Sequence, residues 1–164
     1  MRILVTGSNG MLGTSVKRVF QGHDLILTGR IELDVRNIKQ AMSYADRKLD
    51  LILHLAAETD LFKAELSPTD AYMINHTGTQ NMVELAKILD IPIVYTSTAG
   101  IFDGKKRIYT EKDRANPINH YGRSKYYGEG AVQSYEKHYI IRCGWMMGGG
   151  PNIDSKFINK VFKQ

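Results

Sequence analysis

Val5-Thr6-Gly7-Ser8-Asn9-Gly10-Met11-Leu12-Gly13 sets three glycines at Gly-x-x-Gly-x-x-Gly spacing directly after the apolar run Ile3 to Val5. Where a strand reverses into a helix and a pyrophosphate must approach the backbone, side chains obstruct, so glycine serves at the turn and at the closest approach. The helix that follows offers free N–H groups and a partial positive charge to phosphate oxygens. Three glycines can also be no more than a tight turn. Here they stand between a strand-like run and an amphipathic stretch with Leu12, Val16, Val19 and Phe20 on one stripe, and that context favours dinucleotide binding at Gly7, Gly10 and Gly13.

Outward from this turn the pattern repeats. Strand-like runs at Leu25 to Leu27, Leu51 to Leu55, Ile93 to Tyr95 and Tyr139 to Ile141 are nearly continuously apolar, as strands covered on both faces should be. Helical stretches alternate with them. One uses Ile38, Ala41, Met42 and Ala45. The next opens at Ser67-Pro68-Thr69-Asp70, with Ser67 as N-cap, Pro68 at the first helical position and Asp70 at the positive end. It runs through Ile74, Asn81, Met82, Leu85 and Leu89 and stops before Pro92. The last spans about Tyr121 to Lys137, after a charged loop from Gly100 to Asn119. The alternation predicts an α/β fold, a doubly wound, Rossmann-type parallel sheet of five strands.

At 164 residues, 43% hydrophobic and 24% charged, the composition is that of one soluble folded domain. A lone cysteine, Cys143, forms no internal disulfide, and no Cys/His cluster has zinc spacing, so a stapled secreted scaffold is excluded, no metal site is expected and a cytoplasmic setting fits best. No segment approaches the roughly 20 apolar residues of a spanning helix. The net charge of +5 peaks at Lys105, Lys106, Arg107, Lys112 and Arg114, interrupted by Glu111 and Asp113. This reads as a solvated loop. No nucleic-acid signature accompanies it, so neither nucleic acid nor membrane is an expected partner, whereas small anions such as nucleotide phosphates are.

The choice between NAD and NADP is usually made at the end of the second strand, where an acid bonds the ribose 2′-hydroxyl. Leu27-Thr28-Gly29-Arg30 carries no acid at that tip, and Arg30 would attract a 2′-phosphate, so NADP(H) is favoured over NAD(H) unless Arg30 is only a solvated cation. Further on, Asp34-Val35 either borders the adenine or has Asp34 cap the next helix.

Tyr121-Gly122-Arg123-Ser124-Lys125 is a Tyr-x-x-x-Lys pair, and residues at i and i+4 share a helix face. A phenol ordinarily titrates near pH 10, and a neighbouring ammonium lowers that value, which makes Tyr121 a candidate general acid for carbonyl reduction. Upstream, Ser97 and Thr98 end the fourth strand at the edge where such sheets bind ligands. Thr98 would either hydrogen-bond the substrate oxygen or bond its own backbone.

Together these residues resemble an extended short-chain dehydrogenase/reductase, most closely the dTDP-4-dehydrorhamnose reductase family. The resemblance also draws on Arg30-Ile31-Glu32-Leu33-Asp34-Val35, Ala56-Ala57-Glu58-Thr59, Lys63-Ala64-Glu65, Ile101-Phe102-Asp103-Gly104, Gly128-Glu129 and Ile141-Arg142-Cys143-Gly144-Trp145. It implies a catalytic set of Thr98, Tyr121 and Lys125, and reduction by NADPH or NADH of the 4-keto group of a nucleotide-linked 6-deoxy sugar for polysaccharide synthesis. Cofactor contacts would come from Gly10, Met11, Leu12, Asp34, Val35, Ala57, Glu58, Thr59, Tyr121 and Lys125. Trp145 would border the substrate, unless it is a core aromatic behind the fifth strand. Asn75 resembles the helix asparagine that supports the lysine, with interior packing as its alternative. Two features depart from the family. Ala99-Gly100 stand where Asp-Tyr is usual, closer to the sugar-nucleotide epimerases and dehydratases. The family also continues into a carboxyl-terminal substrate lobe, whereas this chain ends at Gln164, so one cofactor-binding domain over 1–164 is expected, with that lobe truncated or missing. An epimerase or dehydratase and a non-catalytic NADP-binding subunit are the alternative functions, and a homodimer is left open.

Overall fold

The computed structural model describes residues 1–148. Five strands, β1 (Arg2–Thr6), β2 (Asp24–Thr28), β3 (Leu51–His54), β4 (Ile93–Thr98) and β5 (His138–Cys143), form one parallel sheet in the order β2-β1-β3-β4-β5. Helix α1 (Met11–Val19) follows β1 and α2 (Ile38–Met42) follows β2. Between β3 and β4 lie α3 (Leu61–Leu66), α4 (Pro68–Tyr72) and α5 (Gly78–Leu89), and α6 (His120–Gln133) precedes β5. The chain steps from β1 outward to β2, then crosses back to lay β3 on the other side of β1. That reversal opens a crevice at the carboxyl ends of β1 and β3, where open parallel sheets bind ligands. The fold is Rossmann-type, as the alternating pattern predicts.

Alternation along β1 explains its unbroken apolar run. Ile3 and Val5 point to one face, with Val16 of α1, Phe20, Leu51 and Leu53. Leu4 points to the other, in a larger cluster with Ile52, Ile93, Tyr95 and the α5 residues Met82, Leu85 and Ala86. Residues facing both ways are covered, so every position is apolar. The outer strand β5 departs from this expectation. Tyr139 and Ile141 are 64% and 51% exposed, because no described helix packs on the side they face.

Several boundaries also differ from expectation. Val19 is exposed, since α1 ends there and buries only a narrow stripe against the sheet. Helix α2 stops at Met42, which leaves Ala45 in a separate short turn. The sequence gives no warning of α3, whose N-cap Asp60 accepts from the Lys63 amide at 3.0 Å. Ser67 bonds the Asp70 carboxylate at 3.0 Å and makes no side-chain bond to the helix backbone. The helix expected from Ser67 to Leu89 is interrupted by a π turn at Met73–Thr77. Helix α6 begins where Asn119 accepts from the Gly122 amide at 2.7 Å, and it ends at Gln133, short of Lys137. In the 100–119 loop, Asp103 gathers Tyr109, Asn116 and the Lys105 amide, which holds its carboxyl at about 2. Lys106 pairs with Asp113, so the basic patch is a partly neutralised surface loop. No helix among the described residues is long and apolar enough to cross a membrane.

Candidate active site

Gly7 leaves β1 with φ +66°, and a Cβ there would lie 2.7 Å from the Ala56 amide nitrogen, so the turn is pressed against the end of β3. Gly13 faces the Ser8 carbonyl too closely for a side chain, which seats α1 directly on the turn. The Gly10 amide bonds the Gly7 carbonyl at 3.0 Å, and Gly10 caps α1 with no side chain. The first amides of a helix have no intrahelical partner, and no Gly10 side chain caps those at the start of α1.

At the end of β2, Arg30 lies 3.8 Å from the Asp34 carboxylate with its side chain 71% exposed. The expectation of an acid-free tip needs correction. The chain doubles back through a turn in which the Leu33 amide bonds the Gly29 carbonyl, and this returns the Glu32 carboxylate to the Gly29 amide at 2.8 Å. Asp34 does not cap α2. Asn37 does, accepting from the Lys39 and Gln40 amides. Asp34 instead takes the Arg36 guanidinium on both oxygens, at 2.9 and 2.5 Å, and these bonds hold its carboxyl below the usual range. Val35 is buried against Gly78, and its carbonyl accepts from Asn81 Nδ2 at 2.8 Å.

Beyond β3, the segment Ala57-Glu58-Thr59 is gripped from below. Asn75, fully buried in the π turn, accepts from the Glu58 amide at 2.8 Å and donates to the Glu58 carbonyl at 3.0 Å. The same amide group donates to Ser124 Oγ at 2.9 Å, and Ser124 in turn donates to the Tyr121 carbonyl. Asn75 therefore joins the loop after β3 to α6 through Ser124, the neighbour of Lys125, and not through the lysine itself. A π turn inserts one residue into a helix and re-aims the side chains around it, a device frequent at functional sites. The Glu58 carboxylate pairs with Lys63.

Lys125 is buried. Its ammonium donates to the Thr96 carbonyl at 2.7 Å and lies 4.1 Å from the centre of the Tyr95 ring. Burial lowers its pKa to about 7, against the opposing pull of Glu129. The half-buried Tyr121 phenol is raised above its ordinary value by burial, and the neighbouring Thr98 hydroxyl opposes the rise. Lys125 does not acidify Tyr121 here, contrary to the expectation from their spacing: a shared helix face does not fix where a four-carbon side chain points. Thr98 Oγ1 accepts from the Gly100 amide at 3.0 Å and closes the turn at Ala99–Ile101, which leaves its proton for another acceptor. Ser97 Oγ is buried with no hydrogen-bond partner among the described residues. Trp145, 90% exposed, is not a core aromatic.

Burial of Lys125 carries a pH signature. An unfolded lysine keeps its proton to about pH 10.5, whereas the folded one releases it near 7. Between these values the unfolded chain binds more protons, so stability rises with pH; below 7 the cost of the buried charge is fully present. Lys125→Met removes the titrating group. The difference in stability between variant and parent should therefore shift towards the parent as pH is raised through this window, read by denaturant melts at its two ends. A flat difference would contradict the burial.

Against known proteins, residues 1–164 match the family described as RmlD substrate binding domain. A dTDP-4-dehydrorhamnose reductase from Sinorhizobium fredii is 41% identical over 99% of this chain, which spans 55% of that relative's length. A crystal structure of a dTDP-4-dehydrorhamnose reductase from Clostridium acetobutylicum superposes with TM-score 0.94 at 33% identity, over 99% of this chain and 59% of that one. The Bacillus anthracis dTDP-4-dehydrorhamnose reductase, in complex with NADP, superposes with TM-score 0.86 at 32% identity, over 89% and 54%. With its glycine turn, buried asparagine and lysine set on this sheet, the chain belongs to the RmlD substrate binding domain family.

Proposed function

We propose that residues 1–164 are the cofactor-binding part of an NAD(P)H-dependent reductase that acts on a nucleotide-linked 4-keto-6-deoxy sugar, in the manner of dTDP-4-dehydrorhamnose reductase, to supply a polysaccharide precursor. The observation that carries this reading is the Asn75 clamp. By holding the backbone of Glu58 and the hydroxyl of Ser124 together, it sets the Tyr121–Lys125 helix beside the loops at the crevice of the sheet.

A bound nicotinamide supplies the hydride. The residues of this chain handle the rest: Tyr121 gives its proton to the substrate oxygen, Thr98 donates a hydrogen bond to that oxygen, and Lys125, with ammonium protons left beyond its bond to the Thr96 carbonyl, holds the ribose of the nicotinamide. The fit to a dinucleotide rests on the turn, where a Cβ at Gly7 or Gly13 would meet backbone and where the first amides of α1 have no side-chain cap. NADP(H) is the preferred form in this reading, with the exposed Arg30 side chain as the phosphate ligand and the Glu32 carboxylate drawn back onto the Gly29 amide. The single Cys143 supports a reducing, cytoplasmic setting.

Calorimetric titration should give tighter binding of NADPH than of NADH, and Arg30→Ala should erase the difference. Binding of neither would overturn the reading. Addition of a dTDP-linked 4-keto-6-deoxyhexulose should consume NADPH absorbance. A tightly retained dinucleotide with no net consumption would instead mark an epimerase or dehydratase, the alternative that Ala99-Gly100 favours.

A further inference from the structure

His54, the last residue of β3, is buried and takes no part in the proton transfer proposed above. Its ring bridges two threonines, with Nδ1 2.7 Å from Thr6 Oγ1 and Nε2 3.1 Å from Thr79 Oγ1. The protons on this bridge can be placed. Thr6 Oγ1 already accepts from the Leu55 amide at 3.1 Å and the Ala56 amide at 3.2 Å, which uses both of its lone pairs. Its single proton therefore goes to Nδ1, which must be bare. At the other side, Thr79 Oγ1 gives its proton to the Asn75 carbonyl at 2.7 Å, so it can only accept from the ring, and Nε2 must carry the hydrogen. Both ends of the imidazole demand the same neutral tautomer, and a second ring proton would find no acceptor.

This bridge joins the two halves of the site. Thr6 immediately precedes Gly7, and its hydroxyl pins the backbone after β3. Asn75, at the far end, grips Glu58 and Ser124 with its side chain while its carbonyl receives Thr79. A parallel contact runs through Tyr95, whose ring stacks on His54 at 5.7 Å and carries the Lys125 ammonium at 4.1 Å.

We propose that His54, neutral with its proton on Nε2, is a positioning residue that registers the glycine turn against the helix bearing Tyr121 and Lys125, a role that presupposes the reading of those elements given above. The titratable groups facing the ring are Lys125 and Tyr95. Burial, then the Lys125 charge, hold the imidazole to about 3, so it stays uncharged where an ordinary histidine titrates.

Nitrogen-15 spectra of the unaltered chain should show His54 as a neutral ring protonated at Nε2, unchanged between about pH 5 and 8. A ring protonated at Nδ1, or one titrating at the ordinary histidine value, overturns the proposal, and this measurement decides it even if a variant fails to fold. His54→Phe keeps the stacked ring and deletes both hydrogen bonds. It should weaken NADPH binding on the order of tenfold and shift the Lys125 titration. His54→Gln, which can accept at one end and donate at the other, should recover most of both. Parental affinity and an unmoved Lys125 in His54→Phe would sink the role of His54. Lys125→Met serves as the control: unchanged NADPH affinity there would sink the underlying reading of the site, whereas weakened binding in Lys125→Met alone would sink only the histidine.

Discussion

Replacing Tyr121 with phenylalanine should lower carbonyl reduction by about 10²–10⁴-fold, the usual contribution of a positioned general acid, while NADPH binding stays close to that of the parent protein. The ring remains on α6, the Asn119 cap is untouched and the Tyr121 carbonyl still accepts from Ser124, so the loss is confined to one hydroxyl. Burial raises the pKa of this phenol, which keeps it protonated at neutral pH, the form that reduction requires. NADPH absorbance reads the turnover and calorimetry reads the binding. Parental turnover in the variant would remove Tyr121 from the chemistry.

Arg142→Met is expected to be the most damaging change to stability. The Glu129 carboxylate has 1% side-chain exposure, and the Arg142 guanidinium meets both of its oxygens, at 2.9 and 2.8 Å. Removing one partner strands a buried charge, at a cost of about 3–5 kcal/mol. Glu129→Leu in the same chain should restore much of the loss, because an apolar pair no longer needs compensation. Denaturant melts of the single and double variants test this. A single variant as stable as the parent would mean that Glu129 does not depend on Arg142. The pair also bears on the reaction site, since Glu129 favours the charged form of Lys125.

The five strands are legible because burial on both faces leaves an unbroken apolar run, as at Ile3 to Val5. The pattern stops short where pairing outlasts hydrophobicity: β4 continues through Thr96-Ser97-Thr98, each matched to a residue of β5, although all three side chains are polar. Helix α3 escapes notice because only Ala64 in it is buried while Leu61, Phe62 and Leu66 are exposed, so it has no apolar stripe to read. The glycine turn is visible in outline, since its spacing follows from backbone approach. Side-chain direction is not encoded in spacing. Lys125 shares a face with Tyr121 yet reaches for the Thr96 carbonyl, and Glu32 folds back three residues to a tip where the linear sequence shows none. His54 stands in an apolar run and looks like filling; only the counted lone pairs of Thr6 and Thr79 reveal its part.

The strand order has a consequence for how the chain assembles on the ribosome. Both hydrogen-bonding neighbours of β1 are β2 and β3, so the central ribbon is complete in sequence once His54 has been made. At roughly 5–20 residues per second, Tyr121 follows on the order of several seconds later. The nascent polypeptide thus carries the glycine turn and both strand neighbours of β1 in its sequence before Tyr121 and Lys125 have been added.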